Sequence, residues 1–376
     1  MRLILSSSDF VVGGVPRPGF PLLFDRDMEL VPRANEFLIY FLLHRGSVGS
    51  KKSWVTLGQH MYDYFGFLEA YDRRWDELWN GAGTSVVADY RDYALDLVGN
   101  ARSTVSQRLS TVVAFYRFAL KKSWIQTLPF YETEGVGKNS ETRDEDHHGG
   151  RPLTDIAISV DDEPIEFLTM EQIQLLLLRA QNPTHRMMIR LALQLGLRRQ
   201  EISTLRVIHA QDPHSIRGPL GISLDPREVA LKGGRKRFVS ASRRLLSDLW
   251  HYLVHERSVR TDSRHPTDHL LLTEQGRPWS REGAGFHNIL AGYSRKLGFK
   301  VYPHILRHTY ATHTLHALQE TKSNIDAVVF LKAQLGHKSI RTTLRYLHVV
   351  NRNAEALALS YDEEVTRMSE SAPEAV

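Results

Sequence analysis

Between Glu132 and Asp162 the chain turns polar and acidic, including the run Glu141-Thr142-Arg143-Asp144-Glu145-Asp146-His147-His148-Gly149-Gly150, with few large apolar residues. Such a segment cannot bury enough apolar surface to offset the entropy of ordering it, so it reads as a linker or a long inserted loop. It divides the 376 residues into two parts, each long enough for a sizeable core. The parts differ in charge. Pro164 to Val350 holds 28 Lys+Arg against 14 Asp+Glu, a net of +14, and the remainder holds 20 against 29, a net of −9. Positive charge gathered on one part points to a polyanionic partner, although charge alone leaves a solvated basic surface equally open. His147 and His148, adjacent in an acidic run, read as solvated side chains rather than metal ligands.

Residues 1–30 are rich in Pro and Gly, show no sustained periodicity and read as a short leader. From Pro32 the pattern becomes helical, with Ala34 to Leu43 ended by Gly46. A second helix follows Ser53, placing Leu57, Met61, Tyr64, Phe65 and Leu68 on one face. Two more fit Thr84 to Val98 and Thr104 to Lys122, the last turning Val105, Leu109, Val112, Val113, Tyr116 and Leu120 inward. Residues 31–130 are thus expected to form a small all-α domain. The longest strongly apolar run, Phe37 to Leu43, is far too short to cross a bilayer, and the first residues make no convincing signal peptide. The absence of cysteine excludes disulfides and thiolate metal sites and fits the cytosol.

The acidic segment, residues 131–164, gives way to a second domain at 165–350. Thr169 before Glu171 and Gln172 predicts a capped helix start, with helices at 170–180 and 183–196. A β-like stretch follows: Gly221 to Leu224, Arg227 to Leu231, then Arg237 to Ser240. Between the last two, Lys232-Gly233-Gly234-Arg235-Lys236 reads as a Gly-Gly hairpin turn. From Arg243 the chain is expected to be helical again through Tyr346, with short breaks. The fold class is therefore mainly α with a small β-sheet. A tail, 351–376, carries Leu357, Tyr361, Val365 and Met368 at helical spacing.

Three separated segments of the basic part share a chemistry. Arg198 and Arg307 can clamp a phosphate, because a guanidinium forks two N–H donors toward its oxygens and keeps its charge. Glu201, one turn after Arg198, can orient that guanidinium. His304 shares a helix face with Arg307 and can accept a proton or hydrogen-bond the phosphate, and His337 can donate to a non-bridging oxygen. Tyr346, nine residues after His337, is the candidate nucleophile: cations and a base lower the cost of the phenolate. Lys232 is long enough to protonate a departing 5′-oxygen, with Lys236 as a rival. Any one of the 14 tyrosines or 18 histidines would more often be structural. Their placement together is what carries the reading.

These segments resemble the tyrosine recombinase (phage integrase) family. Its first box, Gly-Leu-Arg-x-x-Glu-(Leu/Ile)-x-x-Leu, is matched at Gly196 to Leu205. Its second, His-x-Leu-Arg-His-Thr-(Phe/Tyr)-Ala-Thr-His, is matched at His304 to His313. Its third, Leu-Gly-His, then Thr-Thr, then Tyr, is matched at Leu335 to Tyr346, and the family lysine at Lys232. The resemblance covers about residues 32–350. It implies a C-shaped clamp, a helical core-binding domain and a catalytic domain, around duplex DNA. Tyr346 would attack the scissile phosphate, giving a 3′-phosphotyrosine and a free 5′-hydroxyl, with no metal, ATP or other cofactor. Arg198 and Arg307 would bind the phosphate, Lys232 act as general acid, His304 assist proton transfer and His337 steady the phosphate.

It further implies a homo-tetramer on paired DNA sites, with the tail docking on a neighbouring protomer, accessory DNA-bending or partner recombinase proteins as helpers, no membrane, and a cytoplasmic place at the nucleoid. The first 30 residues leave no room for an arm-binding domain, and the long acidic insert favours a mobile-element integrase or transposase. The alternatives are a chromosome or plasmid dimer resolvase, a type IB topoisomerase, and a DNA-binding accessory protein that keeps the fold without catalysis.

Overall fold

Phe20 and Leu23, inside the stretch expected to be a leader, are fully buried. The computed structural model describes residues 1–45, 51–133, 153–160, 164–261, 266–320 and 326–347. In it, β1 (Arg2–Leu5) pairs antiparallel with β4 (Pro21–Phe24), and the small hairpin β2 (Val11–Val12) with β3 (Val15–Pro16) lies between them. The hairpin is fastened to α1 (Pro32–Ile39) by Asn35, which accepts from the Leu23 N–H at 2.9 Å and donates to the Leu23 and Val31 carbonyls at 2.7 and 2.9 Å. It also lies against α2 (Lys51–Ala70) at Gly58, where a Cβ would fall 2.4 Å from that of Pro21. These residues are therefore part of the first unit's core rather than a separate leader. Strands of two to four residues simply carry too little periodicity to announce themselves.

The first unit, Met1–Asp162, is completed by α3 (Val86–Asp92) and α4 (Arg102–Lys121). Its core interlocks Phe37, Met61, Tyr64, Val112, Phe115 and Tyr116. Two helices expected as continuous α run into π-type turns instead, at Tyr40–His44 and Tyr93–Leu97. Leu120, expected inward, is 38% exposed, whereas Phe118 and Ala119 beside it in the same turn are buried. Part of the acidic segment is also ordered: β5 (Glu132–Thr133) pairs with β6 (Leu153–Thr154), and Ile156 joins the core. His147 and His148 lie outside the described residues, as does the tail with Leu357, Tyr361, Val365 and Met368.

In the second unit, Glu163–Val376, α5 (Met170–Arg179) opens on the expected cap. Thr169 accepts from the Gln172 N–H and Gln172 reaches back to the Thr169 N–H. The helix α6 (Pro183–Leu195) starts at the Asn182 cap and stops at Gly196, whose φ of +63° few other residues tolerate. A Cβ there would also come within 2.4 Å of the Tyr310 ring and 2.8 Å of Leu335, so this glycine lets three elements converge. After α7 (Arg199–Thr204), β7 (Gly221–Leu224) pairs with β8 (Arg237–Ser240), Leu224 opposite Arg237.

The third expected strand, 227–231, does not form. Its donors are taken elsewhere: the Val229 N–H by the Asp225 carbonyl and the Ala230 N–H by Thr204 Oγ1. Lys232 thus sits in a turn, closed by the Gly234 N–H on the Leu231 carbonyl, within one long β7–β8 connection. The helices α8 (Arg243–His251), α9 (Ser258–Arg260), α10 (Ala284–Leu297), α11 (Pro303–Glu320) and α12 (Ala327–Leu335) follow, and residues 340–347 are helical. The α6 helix is the hub of the larger core, its Leu191 and Leu195 clustered with Ile202, Leu224, Val239 and Leu306. Tyr310, Leu315, Leu331, Leu335 and Tyr346 form a smaller one. Among the described residues no helix is long and apolar enough to cross a membrane.

Candidate active site

The smaller core of the second unit is where four of its segments meet, and a charged residue lies at its centre. Arg307 is only 1% exposed. Its Nη1 donates to the Gly196 carbonyl and its Nη2 to the Leu335 carbonyl at 2.6 Å, so the ends of α6 and α12 are tied to α11. Both carbonyls are orphan acceptors at helix C-termini, which is why a buried guanidinium suits the position. Burial, then the neighbouring Arg198, weakens the hold of Arg307 on its proton, to about 9, which still leaves it cationic at neutral pH.

Arg198 caps the start of α7. Glu201 accepts from its backbone N–H at 2.8 Å and from its Nη1 at 3.1 Å, while its Nη2 points at the Gly336 carbonyl 3.5 Å away. The Glu201 carboxylate is completely buried and is shared with Arg237 of β8, which forks onto it at 3.0 and 2.7 Å and donates to the Gln334 carbonyl at 3.2 Å. Burial alone would raise the Glu201 carboxyl, but the bonds and charges of Arg237 and Arg198 outweigh it and hold the group below its usual range. Arg237 was not among the residues the sequence singled out. The reading of a three-stranded stretch hid that its side chain runs under the Leu-Gly-His loop.

Tyr346 is 3% exposed, with its ring parallel to that of His337 at 6.3 Å. Burial raises its hydroxyl, and Arg307, Arg345 and Arg198 pull it the other way. His337 places Nδ1 2.9 Å from the hydroxyl of the fully buried Thr343, which leaves Nε2 for another partner. Burial and the cations Arg307 and Arg198 lower its proton affinity to about 3, so the ring is neutral. The Tyr346 hydroxyl itself meets His308: Nδ1 to Oη is 2.9 Å. His304, one turn earlier on α11, stacks edge-on against His308 at 4.2 Å and is lowered by burial and then by Arg307, Arg198 and Lys232.

Lys232 is thus near enough for its charge to act on His304, and the turn carrying it touches Lys338, beside His337: a Cβ on Gly233 would lie 3.0 Å from Lys338 Cε. Lys236 faces Asp225, 3.7 Å away. The second unit therefore brings Arg198, Glu201, Lys232, His304, Arg307, His337 and Tyr346 together. His308 and Thr343 complete the group. A signal for His308 is present in the sequence, since it shares a helix face with His304 four residues earlier. A buried phenol among guanidiniums and neutral imidazoles is suited to nucleophilic attack on a phosphoester. Among the described residues no cluster of three or more His, Asp and Glu is placed to hold a metal.

Residues 166–352 match the sequence profile of the phage integrase family. Tyrosine recombinase XerD of Oceanobacillus iheyensis is 24% identical over 331 residues, covering 87% of this chain and 97% of that protein. Tyrosine recombinase XerC of Roseiflexus sp. is 28% identical over 254 residues, 66% of this chain and 69% of its own. Among solved structures, the XerH site-specific recombinase bound to palindromic difH substrate is similar in fold. Its TM-score is 0.58 at 15% identity, over 88% of this chain and 95% of that one. The Tn1549 transposon integrase, in complex with transposon right end DNA, gives a TM-score of 0.55 at 17% identity, over 86% and 99%.

Proposed function

The chain belongs to the tyrosine recombinase (phage integrase) family of enzymes that break and rejoin DNA, and on that premise we propose that it recombines specific duplex sites through a 3′-phosphotyrosine on Tyr346. The observation that carries this reading is a buried tyrosine whose hydroxyl meets His308, whose ring lies parallel to that of His337, and on which the charges of Arg307 and Arg198 act. Arg198 and Arg307 seat the scissile phosphate. Among the described residues Arg307 spends two of its five N–H donors on carbonyls, and the other three can serve phosphate oxygens. His337, fixed through Nδ1 by Thr343, offers Nε2 to a non-bridging oxygen. Lys232 protonates the departing 5′-oxygen, a role that its nearness to His304 favours over Lys236, which faces Asp225. His304 assists the proton transfers. Because the ester is kept in the phosphotyrosine, strand exchange needs neither ATP nor a metal.

The net charge of +14 over 164–350 supports duplex DNA as the partner, and the similar XerH and Tn1549 structures are themselves DNA complexes. A homo-tetramer on paired sites completes the proposal. For the cellular task we take integration, excision or transposition of a mobile element. The likeness to XerD and XerC favours dimer resolution as the second reading. Trapping on a nicked suicide duplex in EDTA tests the chemistry: a covalent adduct at Tyr346 is expected, and none, or one that requires Mg²⁺, would refute it. Sequencing the DNA trapped in cells separates the tasks, since element junctions support the first and a single chromosomal site the second.

A further inference from the structure

The hydroxyl that must lose its proton does not point at His304, the histidine to which the family resemblance assigns proton transfer. It meets His308 Nδ1 at 2.9 Å, with the two rings tilted by 53° and their centres 5.6 Å apart. Among the described residues the ring contact of His304 is with His308. Resting on the assignment of Tyr346 as nucleophile, we infer that His308 is a further catalytic residue, the base that receives the Tyr346 proton at Nδ1 as the phosphotyrosine forms.

The acidity of the two groups decides which way the hydrogen bond runs. A neutral imidazole has one donor and one acceptor nitrogen, and a phenol is the stronger donor of the pair. The proton therefore lies on His308 Nε2, and Nδ1 accepts from Oη. When DNA is cut, the Tyr346 Oη–phosphorus bond forms and the phosphorus–5′-oxygen bond breaks. The phenolic proton passes to His308 Nδ1, and a proton from Lys232 passes to the 5′-oxygen. In rejoining, the 5′-hydroxyl attacks, Lys232 recovers its proton and His308 returns one to Oη. Charge balances at each step.

His308 is neutral before DNA arrives. Burial, then His304, Arg307 and Arg345, lower it to about 4, so its acceptor nitrogen is available. The same cations resist adding a proton to it. A phosphate seated on Arg198 and Arg307 offsets that resistance, because an anion in their midst favours the imidazolium. His308 is therefore a weak base in the free enzyme and a competent one only with the scissile phosphate in place. A solvent-exposed tyrosine with a strong base would lack this dependence on substrate.

Single-turnover cleavage of a suicide duplex by the full-length chain tests the assignment, in the wild type, His308→Ala, His308→Gln and Tyr346→Phe. Both His308 variants should bind the duplex with unchanged mobility shift yet cleave about 10²-fold slower or more, the range for loss of a general base. Added imidazole should speed His308→Ala and leave His308→Gln unmoved, which a purely structural role would not produce. A 5′-bridging sulfur, which leaves without protonation, should rescue Lys232→Ala but not His308→Ala. Wild-type cleavage by His308→Gln, or rescue of His308→Ala by the sulfur substrate, would overturn the assignment. Should His308→Ala fold poorly, the glutamine variant, close in volume and able to accept the same hydrogen bond, carries the test. An adduct in the wild type and none in Tyr346→Phe establishes the nucleophile independently, so a failure at His308 leaves the proposed function standing.

Discussion

Each unit of this protein buries tyrosine hydroxyls, and Tyr346 of the second is treated in the opposite way to those of the first. In the first, Tyr64 and Tyr116 bond to each other, Tyr116 donates to the Trp75 carbonyl at 2.6 Å, and Tyr90 donates to Asp63 at 2.6 Å. Burial pushes all three far up; Tyr116 adds to the cost of a phenolate at Tyr64 and Asp63 at Tyr90, while at Tyr116 the bond with Tyr64 works the other way and the charges of Glu77 and Asp76 add to the cost. In the second, burial raises Tyr346 too, but Arg307, Arg345 and Arg198 oppose it and a neutral imidazole takes the hydrogen bond. Residue type and burial are shared; only the surroundings differ. A buried tyrosine among acceptors holds a core together, whereas one among cations with a proton acceptor is prepared for attack.

The largest expected effect is at the nucleophile. Tyr346→Phe should lower covalent adduct formation by about 10⁵-fold, on the scale of removing a covalent nucleophile, and leave DNA binding nearly normal. An adduct that persists would dissolve the contrast between the units, with Tyr310 the next tyrosine to examine. Arg307→Ala should follow, cutting single-turnover cleavage by about 10²- to 10³-fold, as for a lost donor to a developing anion. It also strands the Gly196 and Leu335 carbonyls, at about 1–3 kcal/mol each, readable in urea unfolding. Arg108, which binds Asp63 beside Tyr90, should on replacement change stability and not cleavage. Equal cleavage defects in both variants would show that the arginines of the second unit have no special role.

How much of this could be read from the chain follows the range of the interactions. Arg198, Arg307, His337 and Tyr346 stood out because each lies in a short segment whose spacing fixes it on one helix face or loop. The cap at Thr169 was legible for the same reason. His308 was in plain view, but whether it or His304 meets Tyr346 depends on how residues 340–347 dock on α11, a long-range packing result. Arg237 was missed because Asp225 and Thr204 take the donors that a strand at 227–231 would need, which moves β8 beside β7. Phe20 and Leu23 are not legible as core residues because what packs on them, Trp54 against the Phe20 ring and α1 through Asn35, comes from later in the chain.

The shared carboxylate beneath the site offers a smaller, pH-dependent test. Glu201→Gln keeps the shape but leaves Arg198 and Arg237 without their common anion, and breaking such a buried pair costs about 3–5 kcal/mol. The folded Glu201 carboxyl lies below its unfolded value. Its contribution is therefore complete above the ordinary carboxylate range and is lost as pH falls through the folded value. The wild type should lose stability on acidification more steeply than Glu201→Gln, measured by chemical unfolding from pH 7 to pH 3. Parallel curves would mean the carboxylate is not held by the arginines in solution.

The smallest effect should come from the first unit's own cluster, and it is the sharpest check on the comparison. Tyr116→Phe removes one hydroxyl and no ring, so the contacts of Tyr116 with Phe115 and Phe130 remain and no sizeable cavity opens. What is lost is the bond to the Trp75 carbonyl and the partner of the Tyr64 hydroxyl. A buried group left without a partner costs about 1–3 kcal/mol, so the full chain should melt a few degrees lower. Adding Tyr64→Phe removes the orphaned hydroxyl as well, so the double variant should lose less than the two single losses combined, as expected for groups in contact. Cleavage by all three should stay within about twofold of the wild type, because both hydroxyls are spent on bonds inside the first unit's core. If Tyr116→Phe slows cleavage while its melting is unchanged, the first unit's tyrosines act on the reaction, and the division between a core cluster and a reactive one is wrong.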